Sequence, residues 1–275
     1  VVLRIAIGAQ LRVWREAARL DRHVMSRLLG VSVAKARMIE QGVVPLSEAD
    51  VVVLLERYGV GGELRAGFLA VLHSYGSGGA WWRRDHAHPG SFDPYPAAVQ
   101  AAQLIRIAAL EVIPRLLQTP DYTRTMGRIH GLANKVIDRQ IQEAEERYAA
   151  LITNGSQRLW IVVGPTVLHQ AVAEPGVMRR QLEHLLQVAE SPAVALQLVG
   201  PEHPPLPNTS GPFSIIRFAD STLPDVVHLP QFTGSLYLEH PDDVEDYHRA
   251  WNNLAMCAEP PMRTLGLLAE PRVRT

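Results

Sequence analysis

Apolar residues at Ile5, Ala9, Leu11, Trp14 and Ala18 recur at helical spacing with polar residues between them, so residues 4–19 are predicted to form an amphipathic helix. A shorter helix over 22–29 turns Val24, Met25, Leu28 and Leu29 inward, and Gly30 supplies the left-handed residue that a tight turn needs. Ser32 offers an N-cap for a third helix over 33–41, which Gly42 closes. Pro45 blocks continuation; Ser47 then caps a fourth helix with Glu48 and Asp50 at its positive end and Val52, Leu55 and Tyr58 on its buried side. With a fifth helix over 63–73, residues 1–74 read as an all-α helix-turn-helix domain of about five helices in which 33–41 takes the recognition position.

A Gly/Ser-rich stretch and an irregular segment rich in Pro, His and Asp make residues 75–96 a linker. Beyond it, 97–111, 120–130 and 134–153 read as helices, and the pattern then changes to short β-branched or apolar runs bounded by Gly or Pro at 159–163, 194–199, 213–218, 226–229 and 235–238. Helices at 165–173, 175–190 and 242–258, with a shorter one after Pro261, complete the chain. The predicted class is α+β: the N-terminal all-α domain, and a larger C-terminal domain over 97–275 with one mixed or antiparallel sheet. The Pro-rich stretch 201–212 is long enough to be a lid or binding loop.

Composition changes this picture only at the margins. A length of 275 residues suits two cores, and the single Cys257 excludes a disulfide framework within the chain and a cysteine-based zinc site. No secretory leader and no apolar run of membrane-spanning length is seen, so a cytoplasmic setting is expected. The formal net charge of -1 is unevenly placed: residues 1–60 hold nine Lys/Arg against six Asp/Glu, a surplus of +3, which permits phosphate contact without demanding it.

At 8–15, 30–42 and 54–60 the sequence resembles the Cro/repressor-type (XRE) helix-turn-helix family, and most of all its actinobacterial branch, in which an antitoxin-like effector domain follows the module. That branch carries a Pro-Gly-Leu-Leu-Gln-Thr-x-x-Tyr motif, an Arg-Gln pair, a Met-x-x-Gln-Leu-x-x-Leu helix and a Gly-Pro-Phe strand. This chain has Pro114, Leu116, Leu117, Gln118, Thr119 and Tyr122, then Arg139 and Gln140, then Met178, Gln181, Leu182 and Leu185, then Gly211, Pro212 and Phe213. It is a divergent member. Arg37 and Met38 stand in the first two places of a usual Ser-Arg-x-Glu, with Glu40 kept, and Asp21 and Arg22 replace a Thr-Gln pair that helps touch the DNA backbone. An aspartate facing phosphate is unfavourable. In the second domain Gln100 and Gly164 replace glutamates, Arg115 a glycine, and His228 and Pro230 a Tyr-x-Glu strand. The polar set has changed while the apolar frame has not.

The resemblance implies a sequence-specific transcriptional regulator, a homodimer on a double-stranded operator, whose C-terminal domain senses a small-molecule effector or a small partner protein. The residues expected at bases or phosphates are Arg22, Ser32, Val33, Lys35, Ala36 and Arg37; Arg37 has the fork that reads guanine, and Arg22 is placed on the backbone. An effector pocket is expected from polar and aromatic residues at element ends: Trp82, Gln118, Tyr122, Arg139, Gln140, Trp160, His228 and Tyr237. Core packing competes for Tyr122 and Trp160, and an internal brace competes for Arg139 and Gln140. His86 and His88 have a spacing that metal sites use, but no neighbouring ligand completes it, so no metal and no cofactor is expected.

The alternative is a helix-turn-helix scaffold turned to another use, a small-molecule-binding protein or cofactor-independent cyclase, lyase or isomerase of secondary metabolism that no longer binds DNA. No nucleophile elbow, phosphate loop or His-Glu-x-x-His motif names a reaction. On that reading His228, Asp85 and His86 are the acid/base candidates.

Overall fold

The computed structural model describes residues 1–75, 81–83, 94–154, 157–169, 175–200, 211–231 and 234–269. Its helices are α1 (Val2–Ala17), α2 (Arg22–Leu29), α3 (Val33–Glu40), α4 (Glu48–Arg57), α5 (Gly62–Tyr75), α6 (Tyr95–Ala101), α7 (Pro120–Ile129), α8 (Asn134–Asn154), α9 (Thr166–His169), α10 (Pro175–Ala189), α11 (Pro241–Cys257) and α12 (Pro261–Ala269). Its strands are β1 (Trp81–Arg83), β2 (Ala102–Ala109), β3 (Arg158–Val163), β4 (Val194–Leu198), β5 (Phe213–Phe218), β6 (Val226–Gln231) and β7 (Gly234–Leu238). An N-terminal helical region is therefore followed by a larger α+β region, as the sequence predicts. The chain divides into two compact units, Val1–Ala102 with Ile216–His240, and Gln103–Ile215 with Pro241–Thr275. The division falls within β5.

In the first unit, local chemistry sets the helix boundaries. Asp21, Ser32 and Ser47 accept from the backbone N–H of Val24, Lys35 and Asp50, each at 3.1 Å, and Asp50 returns the favour to Ser47 as a capping box. Gly30, at φ 60°, ends α2 in the left-handed conformation that other residues resist. Leu3, Ile7, Leu11, Met25, Ala36, Ile39, Val51, Leu54, Leu55, Tyr58, Val60 and Phe68 make the helix-turn-helix core. Met25 supplies the fully buried contact of α2, whereas Leu28, expected inward, is exposed. Gly8 lets α1 meet α3 backbone to backbone, since a Cβ there would lie 2.5 Å from the carbonyl oxygen of Ile39.

α1 also reaches beyond that core. Val2, Ile5 and Ala6 are buried without belonging to it, α1 packs against α6, and the N–H of Val2 donates to Glu239 Oε1 at 2.9 Å. The same unit holds an antiparallel ribbon in which β1 pairs with β7 (Trp81↔Leu236) and β7 with β6 (His228↔Tyr237). The stretch expected to be irregular over 81–96 thus contains a three-residue strand and the start of α6, because β1 finds a ladder partner more than 150 residues away, which no local pattern announces.

The second unit holds parallel pairing, β2 with β3 (Ile107↔Ile161) and β3 with β4 (Ile161↔Leu196). Both senses of pairing occur, so the sheet is mixed. One element overturns its expectation: 97–111 was to be a single helix, yet α6 stops at Ala101 and the next eight residues are β2. The cause is physical. A parallel strand covered on both faces needs no polar alternation, and the buried Ile105, Ile107, Ala108 and Ala109 read as easily for a helix as for a strand.

Candidate nucleic-acid interface

α3 combines an inner and an outer side whose residues separate cleanly. Ala36 and Ile39 face the core, and Ala36 is 0% exposed. This corrects its expected place at the DNA: a small residue four positions past the cap is what lets α3 seat against its neighbours, and nothing of it reaches solvent. Ser32 is exposed but its hydroxyl caps α3, and Val33 is half-buried. Lys35 and Arg37 are exposed and make no ion pair among the described residues. Ala34, Met38 and Gln41 are exposed as well, and sequence reasoning missed all three. With Arg37 they take the i, i+3, i+4 and i+7 positions of one helix face, which was the available signal for a shared outward stripe.

Arg22 has a different employment from the one expected. Its Nε donates to Glu40 Oε2 at 2.9 Å, and Glu40, only 2% exposed, also receives Arg15 Nε on Oε1 at 2.5 Å. Arg15 Nη1 donates in turn to the Leu20 carbonyl at 2.8 Å. One buried carboxylate therefore ties α1, α2 and α3 together. Tyr58 lies near enough that burial, helped by the Glu40 charge, pushes its phenol up to about 12. Arg22, half-buried, is thus a structural ligand of Glu40. Asp21, unfavourable beside phosphate, is explained by its cap on α2.

The residues expected to line an effector pocket are distributed among separate tasks. Around 113–123 the polar groups of the Leu-Leu-Gln-Thr motif bind the fold: Gln118 Nε2 donates to the Ile113 carbonyl at 2.7 Å and its Oε1 accepts from Thr123 at 3.0 Å. Gln181 of α10, wholly buried, accepts the Thr119 N–H and donates to the Leu117 carbonyl, each at 2.7 Å. Gln181, expected from the resemblance but not as a site, joins the two motifs through these bonds. Tyr122 is buried beside them, which raises its phenol above the ordinary range.

Trp160 Nε1 donates to Gln197 Oε1 at 2.5 Å and meets the edge of Trp251 at 5.8 Å. Arg139 is exposed on α8 and pairs with Glu143 one turn on; the Arg-Gln pair follows helix phase, with Gln140 half-buried. In the other unit His228 is buried, with Nε2 3.0 Å from Ser235 Oγ and its ring against Tyr95 (4.2 Å) and Tyr237 (5.1 Å), the latter its cross-strand partner. Trp82 takes part in β1 through its backbone pairing. Asp85, His86 and residues 201–210 of the Pro-rich loop lie outside the described residues.

Among the described residues no cluster of three His, Cys, Asp or Glu could hold a metal ion, and no helix is long and apolar enough to cross a membrane. No curated protein and no solved structure matches the chain. Residues 6–68 match a helix-turn-helix domain family, in agreement with the shared core of α1 to α5 and the caps of α2, α3 and α4. Residues 92–270, well over half of the chain, match the domain of unknown function DUF5753, and the chain accordingly belongs to that family, with a helix-turn-helix domain ahead of the family's own domain.

Proposed function

We propose that the chain is a sequence-specific, DNA-binding transcriptional regulator of the cytoplasm, a divergent actinobacterial member of the Cro/repressor type that acts as a homodimer on a double-stranded operator. Its C-terminal region receives the signal, a small molecule or a small partner protein, that sets its affinity for DNA. The observation that carries the reading is the outer side of α3: a capped helix in the recognition position whose two cations, Lys35 and Arg37, face solvent without an acidic partner among the described residues. Elsewhere in the module Arg12, Arg15, Arg22 and Arg65 are each paired with a carboxylate. Arg19, Arg27 and Arg57 of the module are also exposed without an ion pair among the described residues, so what sets Lys35 and Arg37 apart is their place on the helix from which phosphates and base edges can be reached.

The test is titration of the full chain with duplex fragments from around its own gene at several salt concentrations. Saturable binding with a steep salt slope is expected. Arg37→Ala is expected to weaken specific binding by about 10-fold to 100-fold, and Lys35→Ala to weaken all sequences alike and to reduce the salt slope by about one. Binding that survives both substitutions undiminished removes α3 from the interface.

A further inference from the structure

The stripe on α3 is not only cationic. Met38 is 40% exposed, and Ala34, one turn before it, is exposed beside Arg37 and Gln41. Val13, Leu28, Val53 and Leu64 of the module are exposed too, but Met38 stands on α3 beside its cations, and α3 buries Ala36 and Ile39 completely enough to hold its place without it. The methionine follows the arginine directly, so a long, flexible apolar side chain and a guanidinium extend from adjacent positions of one short helix into solvent. In a major groove the partner for such an apolar group is the C5-methyl of thymine, the sole apolar projection that a base pair offers there, while the guanidinium fits the O6 and N7 of guanine.

Resting on the DNA-binding reading of this same face, we infer that Ala34 and Met38 are specificity-determining residues that read thymine methyl groups next to the guanine read by Arg37. The occupant of the apolar stripe is DNA, because the charges that flank it, Lys35 and Arg37, suit a polyanion and have no acidic partner among the described residues. Gln41, whose amide matches the N6 and N7 edge of adenine, closes the stripe at its C-terminal end. The half-site is therefore expected to contain a guanine with thymine beside it, and its recognition depends on methyl groups as well as hydrogen bonds.

The experiment selects duplexes from a randomised library with the full chain, then replaces thymine by uracil at each enriched position, which deletes one methyl and keeps base pairing. A contacted methyl is expected to be worth about four-fold in affinity. In Met38→Ala, which is exposed and should leave the unfolding transition unchanged, that sensitivity disappears at the position Met38 touches while the requirement for guanine stays. Specific binding that is indifferent to uracil, or enriched sites with no thymine beside guanine, overturns the inference and leaves the regulator reading intact. A Met38→Ala change in oligomeric state with DNA affinity unaltered also overturns it, since the stripe would then be a protein contact. Failure of the unmodified chain to bind any duplex specifically removes both.

Discussion

The outer side of α3 and the corner around Leu117 to Thr123 are both rich in polar groups at the ends of short elements, and they treat those groups in opposite ways. In the corner, Gln118, Thr119, Thr123 and Gln181 satisfy one another and the nearby backbone, so the motif is spent on holding a 3-10 turn and α7 against α10. On α3 and its C-cap, Lys35, Arg37 and Gln41 are exposed and their side chains make no hydrogen bond or ion pair among the described residues. A motif with its hydrogen bonds closed preserves a fold, and one with them open is available to something outside.

The sharpest way to break that contrast is to attack what holds α3 rather than what it displays. Glu40→Ala leaves the nearly buried Arg15 without its carboxylate, and about 3–5 kcal/mol of stability is expected to be lost in denaturant unfolding of the full chain. A loss below about 1 kcal/mol would show that the ion cluster is not what fixes the helix. Gln181→Leu comes next. It strands the Thr119 N–H and the Leu117 carbonyl in a buried place and is expected to cost about 2–4 kcal/mol, while the remaining folded protein binds DNA as before. A change in DNA affinity at unchanged stability would mean that the corner does more than hold the fold.

The smallest expected effect concerns acid. His184, one turn from Gln181 on α10, lies edge-on to Tyr148, and burial lowers its pKa below the ordinary 6.5. The folded state thus disfavours the charged ring; this contribution is full above the unfolded pKa and is lost as pH falls through it toward the folded value. His184→Gln is expected to flatten the stability profile as pH falls below 6.5, read from thermal midpoints. An unchanged slope would show that the ring is not desolvated.

Much of the frame was legible because caps and glycines are local signals. Ser32, Ser47 and Gly30 mark their helices within a residue, and the apolar runs at β3 to β7 announce strands. What failed depended on partners far along the chain. β2 is a strand because β3 lies beside it, and β1 because β7 does. The candidate sites failed for a related reason: whether a polar side chain is available depends on what already binds it. Nothing local in the sequence says that Glu40 claims Arg22 or that Gln118 turns back on Ile113, and Ala36 was counted outward with its exposed neighbours Lys35 and Arg37. Helix phase alone would have recovered Met38 and excluded Ala36.

The double engagement of α1 bears on how such proteins can be cut and recombined. Its first turns belong to the module's core and also lie against α6, with the amide of Val2 held by Glu239. Severing the chain after residue 75 would bare Val2, Ile5 and Ala6 to water and yield a sticky, aggregation-prone fragment. A chimera builder who wants this helix-turn-helix module on another domain must carry α6, β6, β7 and Glu239 with it; the module is rooted in those elements of its own compact unit and does not travel as a cartridge.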